Sequence, residues 1–121
     1  PIVRLYTEIN GKYEFYSETE IIKDNLNPNF TKSFKLDYHF EQKQRLRFEV
    51  YDYDDPGKFT LIGGTYTSLN ELMGAKNQTS IFDLTDKREQ TGKLIVQCEQ
   101  VQGGNESIKL EISAEGLPKT T

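Results

Sequence analysis

At 121 residues the chain has the length of one domain and can bury a single core. Its 15 Lys and Arg against 19 Asp and Glu leave a formal net charge of −4 and a pI near 5.0, which disfavours nonspecific binding of nucleic acid. No stretch is apolar for about 18 residues, so no membrane-spanning helix is expected. The one cysteine cannot form an internal disulfide, which fits a reducing compartment or carries no information.

The chain reads as β almost throughout. Ile2 to Ile9 is strand-like, and Asn10-Gly11 is the strongest short hairpin signal. Tyr13 to Ile22 returns, and Asp24-Asn25-Leu26-Asn27-Pro28 is a turn cluster. Phe30 to Tyr38 is the next strand, with Phe34, Leu36 and Tyr38 on one face. Arg45 to Asp52 alternates polar and apolar, directing Leu46, Phe48 and Val50 inward. Leu61 to Thr67 follows, its Gly63-Gly64 marking a bulge or a close backbone approach. Ser68-Leu69-Asn70-Glu71 matches a capping box for a short helix that Gly74 ends. Ser80 to Leu84, Lys93 to Val101 and Ser107 to Ala114 complete eight strands, with Thr85 to Gly92 as a polar loop. Turn signals at this spacing argue a β-sandwich or barrel. Cys98 shares a side with Leu94 and Val96 and reads as a small buried hydrophobe.

The run Tyr51-Asp52-Tyr53-Asp54-Asp55-Pro56-Gly57 spills three carboxylates from a strand end into a turn. Crowded carboxylates repel one another unless they share a cation, and hard oxygens on a loop suit Ca²⁺. The competing reading is an ordinary turn. Chemistry of other kinds has little to stand on. His39 is the only histidine, no nucleophile has an orienting partner by spacing, and no glycine-rich phosphate loop is present, so no enzyme is expected.

Thr19-Glu20-Ile21-Ile22-Lys23-Asp24-Asn25-Leu26-Asn27-Pro28-Asn29-Phe30, then Phe34 to Glu41, Gln44 to Asp52, Leu61-Ile62-Gly63 and Ser68 to Leu72 form an ordered set. Together they resemble a C2 domain, most nearly the first of the two tandem C2 domains of a copine. The resemblance covers nearly the whole chain. It implies an eight-stranded antiparallel Greek-key sandwich whose loops at one end bind Ca²⁺ and anionic phospholipid. It also implies a cytoplasmic protein that becomes peripheral to membranes when Ca²⁺ rises. On this pattern Pro1 follows an absent first strand and absent loop-one aspartates. Residues 1–102 are then a C2 domain lacking that strand, and residues 103–121 resemble the start of a following C2 domain. Ser107–Ala114 is expected to fill the vacant slot, either within the chain or by a strand-swapped homodimer.

The resemblance assigns roles residue by residue. Asp52 and Asp54 match the loop-three metal ligands, with Asp55 as a third. Thr60 stands where a further aspartate is usual, so weak affinity is expected. Lys58 and Phe59 at the loop-three tip suit a membrane interface, unless Phe59 folds back on the sandwich. Asn25 and Asn27 of loop two are first structural, with a headgroup role implied by the family. Lys32, Lys35, Arg45 and Arg47 on outward faces of adjacent strands would form a basic face for anionic lipid, against the alternative of a solvated mixed face. The two functions weighed are a Ca²⁺-responsive phospholipid-binding module and a Ca²⁺-independent protein-interaction scaffold.

Overall fold

In the computed structural model, residues 1–39, 41–54, 57–101 and 107–119 are described. They form β1 (Ile2–Ile9), β2 (Lys12–Glu18), β3 (Phe34–Asp37), β4 (Arg45–Asp54), β5 (Lys58–Ser68), β6 (Thr79–Asp86), β7 (Glu89–Val101) and β8 (Ser107–Glu115). One α-helical turn, α1 (Leu69–Met73), and a short 3₁₀ turn at Lys76–Gln78 interrupt them. All pairings are antiparallel, in the order β2-β1-β4-β5-β6-β7-β8-β3.

The ladder is continuous but nearly breaks in its middle. β5 and β6 are joined by a single residue pair, Gly64 with Thr85. There the sheet folds over, giving one layer of β2-β1-β4-β5 and another of β6-β7-β8-β3. The inner faces meet in one core that includes Leu5, Phe48 and Val50 from the first layer and Leu94, Val96 and Leu110 from the second. Phe34 and Phe48 touch across it, their ring centroids 6.5 Å apart. On the open side of the sandwich the Tyr16 hydroxyl donates to the Lys35 carbonyl, tying β2 to β3. The eight-stranded antiparallel sandwich is therefore the architecture of this chain.

β8 lies between β7 and β3 of its own chain, paired with both. It sends Ile108, Leu110, Ile112 and Ala114 into the core.

Local signals account for most element ends. Asn10 (φ 52) and Gly11 (φ 84) both take positive φ, as the tight turn between β1 and β2 requires. Ser68 caps α1 by accepting the Glu71 N–H, and Gly74 closes it. Three expectations are corrected. The second strand stops at Glu18, because Thr19 turns back over β1, exchanging hydrogen bonds with Val3 through its N–H and its hydroxyl. The third begins at Phe34 rather than Phe30, because the Glu20 carboxylate accepts the Thr31 and Lys32 N–H groups at 2.6 and 3.1 Å and draws that backbone out of the ladder. Residues Thr85 to Gly92 are a continuation of β6 and β7 around Lys87-Arg88, both at positive φ.

Gly64 lies under the Arg47 guanidinium, the mobile end of a side chain that a Cβ there would displace. Cys98 is buried beside Leu94 and Val96, and burial pushes its thiol pKa up.

Candidate functional site

The β4–β5 hairpin sorts its side chains by alternation. Asp52 pairs with Thr60, Tyr53 with Phe59, and Asp54 with Lys58. Residues paired across antiparallel strands share a face. Asp52, Asp54, Thr60 and Lys58 thus lie on one side of the hairpin, and Tyr53 and Phe59 on the other.

The acidic side faces a cleft shared with the 21–26 segment and the chain beyond β8. Asp24, Asp52 and Asp54 line it, with Lys23 and Lys119 also present and with Ile22, Leu26 and Leu117 supplying apolar wall. Asp52 is half-buried and Asp54 exposed. Asp24 is a member of this cleft that the sequence reading treated only as a turn residue. Nothing in the sequence sets Asp24 apart from the rest of its turn cluster; folding brings it to the cleft, where it takes a positive φ of 52°.

The donor set is made of hard oxygens, which suits Ca²⁺ in kind. It is partial in geometry: among the described residues no three carboxylate, histidine or cysteine groups converge to hold a metal ion. Asp55, the third expected ligand, lies outside the described residues.

The expected lipid contacts divide. Asn25 lines the acidic cleft, and its side chain accepts the Asn27 N–H at 2.8 Å. Asn27 points elsewhere, accepting the Gly116 N–H at 2.9 Å and tying loop two to the end of β8. Backbone bonds from Ala114 to Pro28 and from Leu117 to Leu26 extend that seam. Lys58 is exposed. Phe59 is half-buried and folds back: its ring lies 5.1 Å from Tyr53 and beneath the Arg4 guanidinium at 4.7 Å.

The basic face is not one face. β3 and β4 are unpaired with each other, and Phe34 and Phe48 meet across the core. Lys35 and Arg47, which alternate with them, point outward from opposite layers. Lys32 lies before β3, its N–H held by Glu20. The arginines are also charge-compensated. Arg47 pairs with Glu49 at 3.1 Å, and Arg45 with Glu8 at 3.7 Å.

The outward face of β2-β1-β4-β5 instead carries a chain of aromatic and charged contacts. Arg47 stacks on Tyr66 at 4.4 Å. The Tyr51 hydroxyl donates to Glu49, and Arg4 covers Tyr51 at 4.9 Å while pairing with Glu18 at 3.1 Å. Burial and the Glu49 carboxylate push the Tyr51 pKa up. Burial opposes ionisation of Glu49, but the Tyr51 hydroxyl and the Arg47 guanidinium prevail and hold its pKa down. These four-strand contacts went unread because the sequence does not reveal that β1 separates β2 from β4.

A family model described as the C2 domain matches residues 1–84. Copine-E of Dictyostelium discoideum is 36% identical over 101 residues, covering 84% of this chain and 17% of that protein. Copine-C of the same organism is 35% identical over 116 residues, covering 90% of this chain and 22% of that protein. Nicotinic receptor-associated protein 1 of Caenorhabditis elegans is 34% identical over 117 residues, covering 84% of this chain and 18% of that protein. The chain spans about a fifth of the length of these curated relatives.

Proposed function

Since the chain belongs to the C2-domain family, we propose that it is a Ca²⁺-responsive module that binds anionic phospholipid surfaces and acts by recruitment rather than catalysis. One observation supports this most: Asp52 and Asp54 share the cleft side of the hairpin, with Asp24 and Asn25 lining the same cleft. Copines are among its relatives, and no helix of the described residues is long and apolar enough to cross a membrane. A peripheral, cytoplasmic role is part of the proposal, by likeness to the C2 family.

The residues have distinct tasks in this reading. Asp52 and Asp54 would hold Ca²⁺, with Asp55 and the Thr60 hydroxyl as further oxygen donors. The ion supplies positive charge where the carboxylates alone repel an anionic bilayer; two ions would cancel the formal net charge of −4. Lys23, Lys58 and Lys119 add cations near the same end, and each is drawn to anionic headgroups by about 1 kcal/mol close to a charged surface.

The test is co-sedimentation of this chain with phosphatidylserine vesicles at fixed salt, with and without Ca²⁺. The expected result is pelleting that requires Ca²⁺ and is lost in Asp52→Asn with Asp54→Asn. Equal pelleting of the wild type and that variant with Ca²⁺ refutes the assignment of these ligands.

The second reading is a Ca²⁺-independent protein-interaction scaffold. Thr60 stands directly opposite Asp52, where a neutral hydroxyl takes the place of a carboxylate. One relative is named for association with a nicotinic receptor. Absence of vesicle binding under both conditions favours this reading.

A further inference from the structure

Two apolar side chains stand open at the acidic cleft. Ile21 and Leu26 both line it, yet Ile21 is 39% exposed and Leu26 42%. Ile22, next to them in the chain, packs against the core instead. Single exposed hydrophobes are ordinary. These two share one cleft, and their backbone is pinned. The Ile22 N–H donates to the Pro1 carbonyl, and the Leu26 carbonyl accepts the Leu117 N–H, each at 3.0 Å. The Asn25 side chain accepts the Asn27 N–H, and the Asn27 side chain accepts the Gly116 N–H. The 21–26 segment is therefore set before anything binds, so little ordering cost remains to be met on contact.

The charges around it fit one occupant. Lys23 and Lys119 line the same cleft, and Lys58 lies on the cleft side of the hairpin. Arg4, Arg45 and Arg47 elsewhere are paired with glutamates. Among the described residues none of these three lysines is in an ion pair. A free anion would match the lysines but leave Ile21 and Leu26 in water. An anionic bilayer matches both, since apolar side chains enter the acyl boundary while Lys stays with the headgroups. Phe59 is poorly placed for that task, being half-buried against Tyr53 and Arg4.

We propose that Ile21 and Leu26 are the leading apolar contacts of this chain with an anionic bilayer, ahead of Phe59. The proposal rests on the phospholipid-binding reading above and names the segment that inserts. Asp24 lies between the two side chains in sequence and lines the same cleft with Asp52 and Asp54. Insertion therefore waits on neutralisation of these carboxylates and keeps the Ca²⁺ requirement.

The chain has no Trp, so a single introduced one reports its own surroundings. Leu26→Trp and Ile21→Trp are each mixed with phosphatidylserine vesicles containing phosphatidylcholine with brominated acyl chains, with and without Ca²⁺. The expected result is a blue-shifted emission, quenched by bromine, only when Ca²⁺ is present. Ile9→Trp is the control. Ile9 is 51% exposed but lies seven residues along β1 from Ile2, which pairs with Tyr51 at the cleft end, a distance of about 24 Å. It should not respond, and Phe59→Trp should be quenched less than either cleft position. In co-sedimentation Leu26→Ala should weaken Ca²⁺-dependent binding about fivefold: three carbons are removed, and less than half of the side chain is still exposed and left to bury. A urea melt checks that the variant is folded, and Ile21→Ala is the matching second variant. Ca²⁺-dependent pelleting with no quenching at positions 21 and 26, or with stronger quenching at 59, overturns the proposal and leaves the Ca²⁺ reading standing. Unchanged binding by both alanine variants does the same. Absence of Ca²⁺-dependent pelleting by the wild type overturns both.

Discussion

Replacing Leu110 by Ala tests whether β8 is an integral part of the sandwich. Leu110 is fully buried and stands between Phe34 on one neighbouring strand and Cys98 on the other. Truncation removes transfer free energy and leaves a cavity, together about 2–5 kcal/mol. Strands hydrogen-bonded on both sides restrain collapse, so the low end of that range is excluded and about 3–4 kcal/mol applies. A chain of 121 residues has a total stability of about 6–18 kcal/mol at the usual value per residue, so the variant stays folded. Its unfolding entropy near the midpoint is about 0.25 kcal/mol/K, which converts 3 kcal/mol into a fall in Tm of about 12 °C. Urea and thermal melts followed by far-UV circular dichroism and tyrosine emission read this directly, there being no Trp. Ile81→Ala on β6, at a side chain 61% exposed, is the control and should cost under about 0.5 kcal/mol. A Leu110→Ala cost no larger than the control would refute the packing of β8. A mass in solution of one 14.0 kDa chain would rule out exchange of β8 between two copies.

Two further outcomes follow from local contacts. Partial burial works against the Glu20 carboxylate, but the Thr31 and Lys32 N–H groups outweigh it and hold its pKa low. A depressed folded-state pKa gives stability that is present above the unfolded value near 4.5 and is lost as pH falls through the folded one. Glu20→Gln should therefore cost about 1 kcal/mol at pH 7 and much less near pH 3, measured as urea midpoints across pH; a pH-independent cost would refute the assignment. Gly64→Ala should cost under about 1 kcal/mol, because the Arg47 guanidinium it displaces ends a flexible side chain, and pairing it with Arg47→Ala should remove that cost in a double-mutant cycle.

Legibility in the sequence followed the range of the forces involved. Period-two alternation located β1 and the inward residues of β4, β7 and β8, because burial of one face is a local pattern. The Ser68 cap and the Asn10-Gly11 turn were legible for the same reason. Lys87-Arg88 was not, since both residues adopt positive φ (50° and 70°) without the Asn or Gly that advertises it. Tertiary pairing of the flanking strands carries that strained turn. The early end of the second strand and the late start of the third depend on contacts of Thr19 with Val3 and of Glu20 with Thr31. These partners lie 11 or more residues apart, beyond any local window. The basic face failed on topology: outward direction was readable strand by strand, but which layer each strand joins was not. Asp52 and Asp54 were found because crowded acids are visible as text, whereas Asp24 entered the cleft only through folding.

The position of Phe59 sets the energetics that any membrane contact of the hairpin must meet. A side chain already at the tip would insert without rearrangement. Here the ring must first leave Arg4 and Tyr53. An exposed cation–π contact is worth about 0.5–1 kcal/mol and an aromatic pair about 0.5–1.5 kcal/mol, so release costs about 1–2.5 kcal/mol. Full burial of a Phe side chain returns about 1.5–3 kcal/mol. The two nearly cancel, so Phe59 by itself cannot drive attachment under the proposed membrane mode. The deciding contribution must be electrostatic: neutralisation of the Asp52–Asp54 side and headgroup contacts of Lys58, which lies on that same side of the hairpin. Arg4→Ala weakens the hold on Phe59 without touching the acidic side. It should therefore strengthen vesicle binding at saturating Ca²⁺ and leave the Ca²⁺ requirement in place. Vesicle binding by Arg4→Ala without Ca²⁺ would show that release of the ring, not charge, is the controlling step.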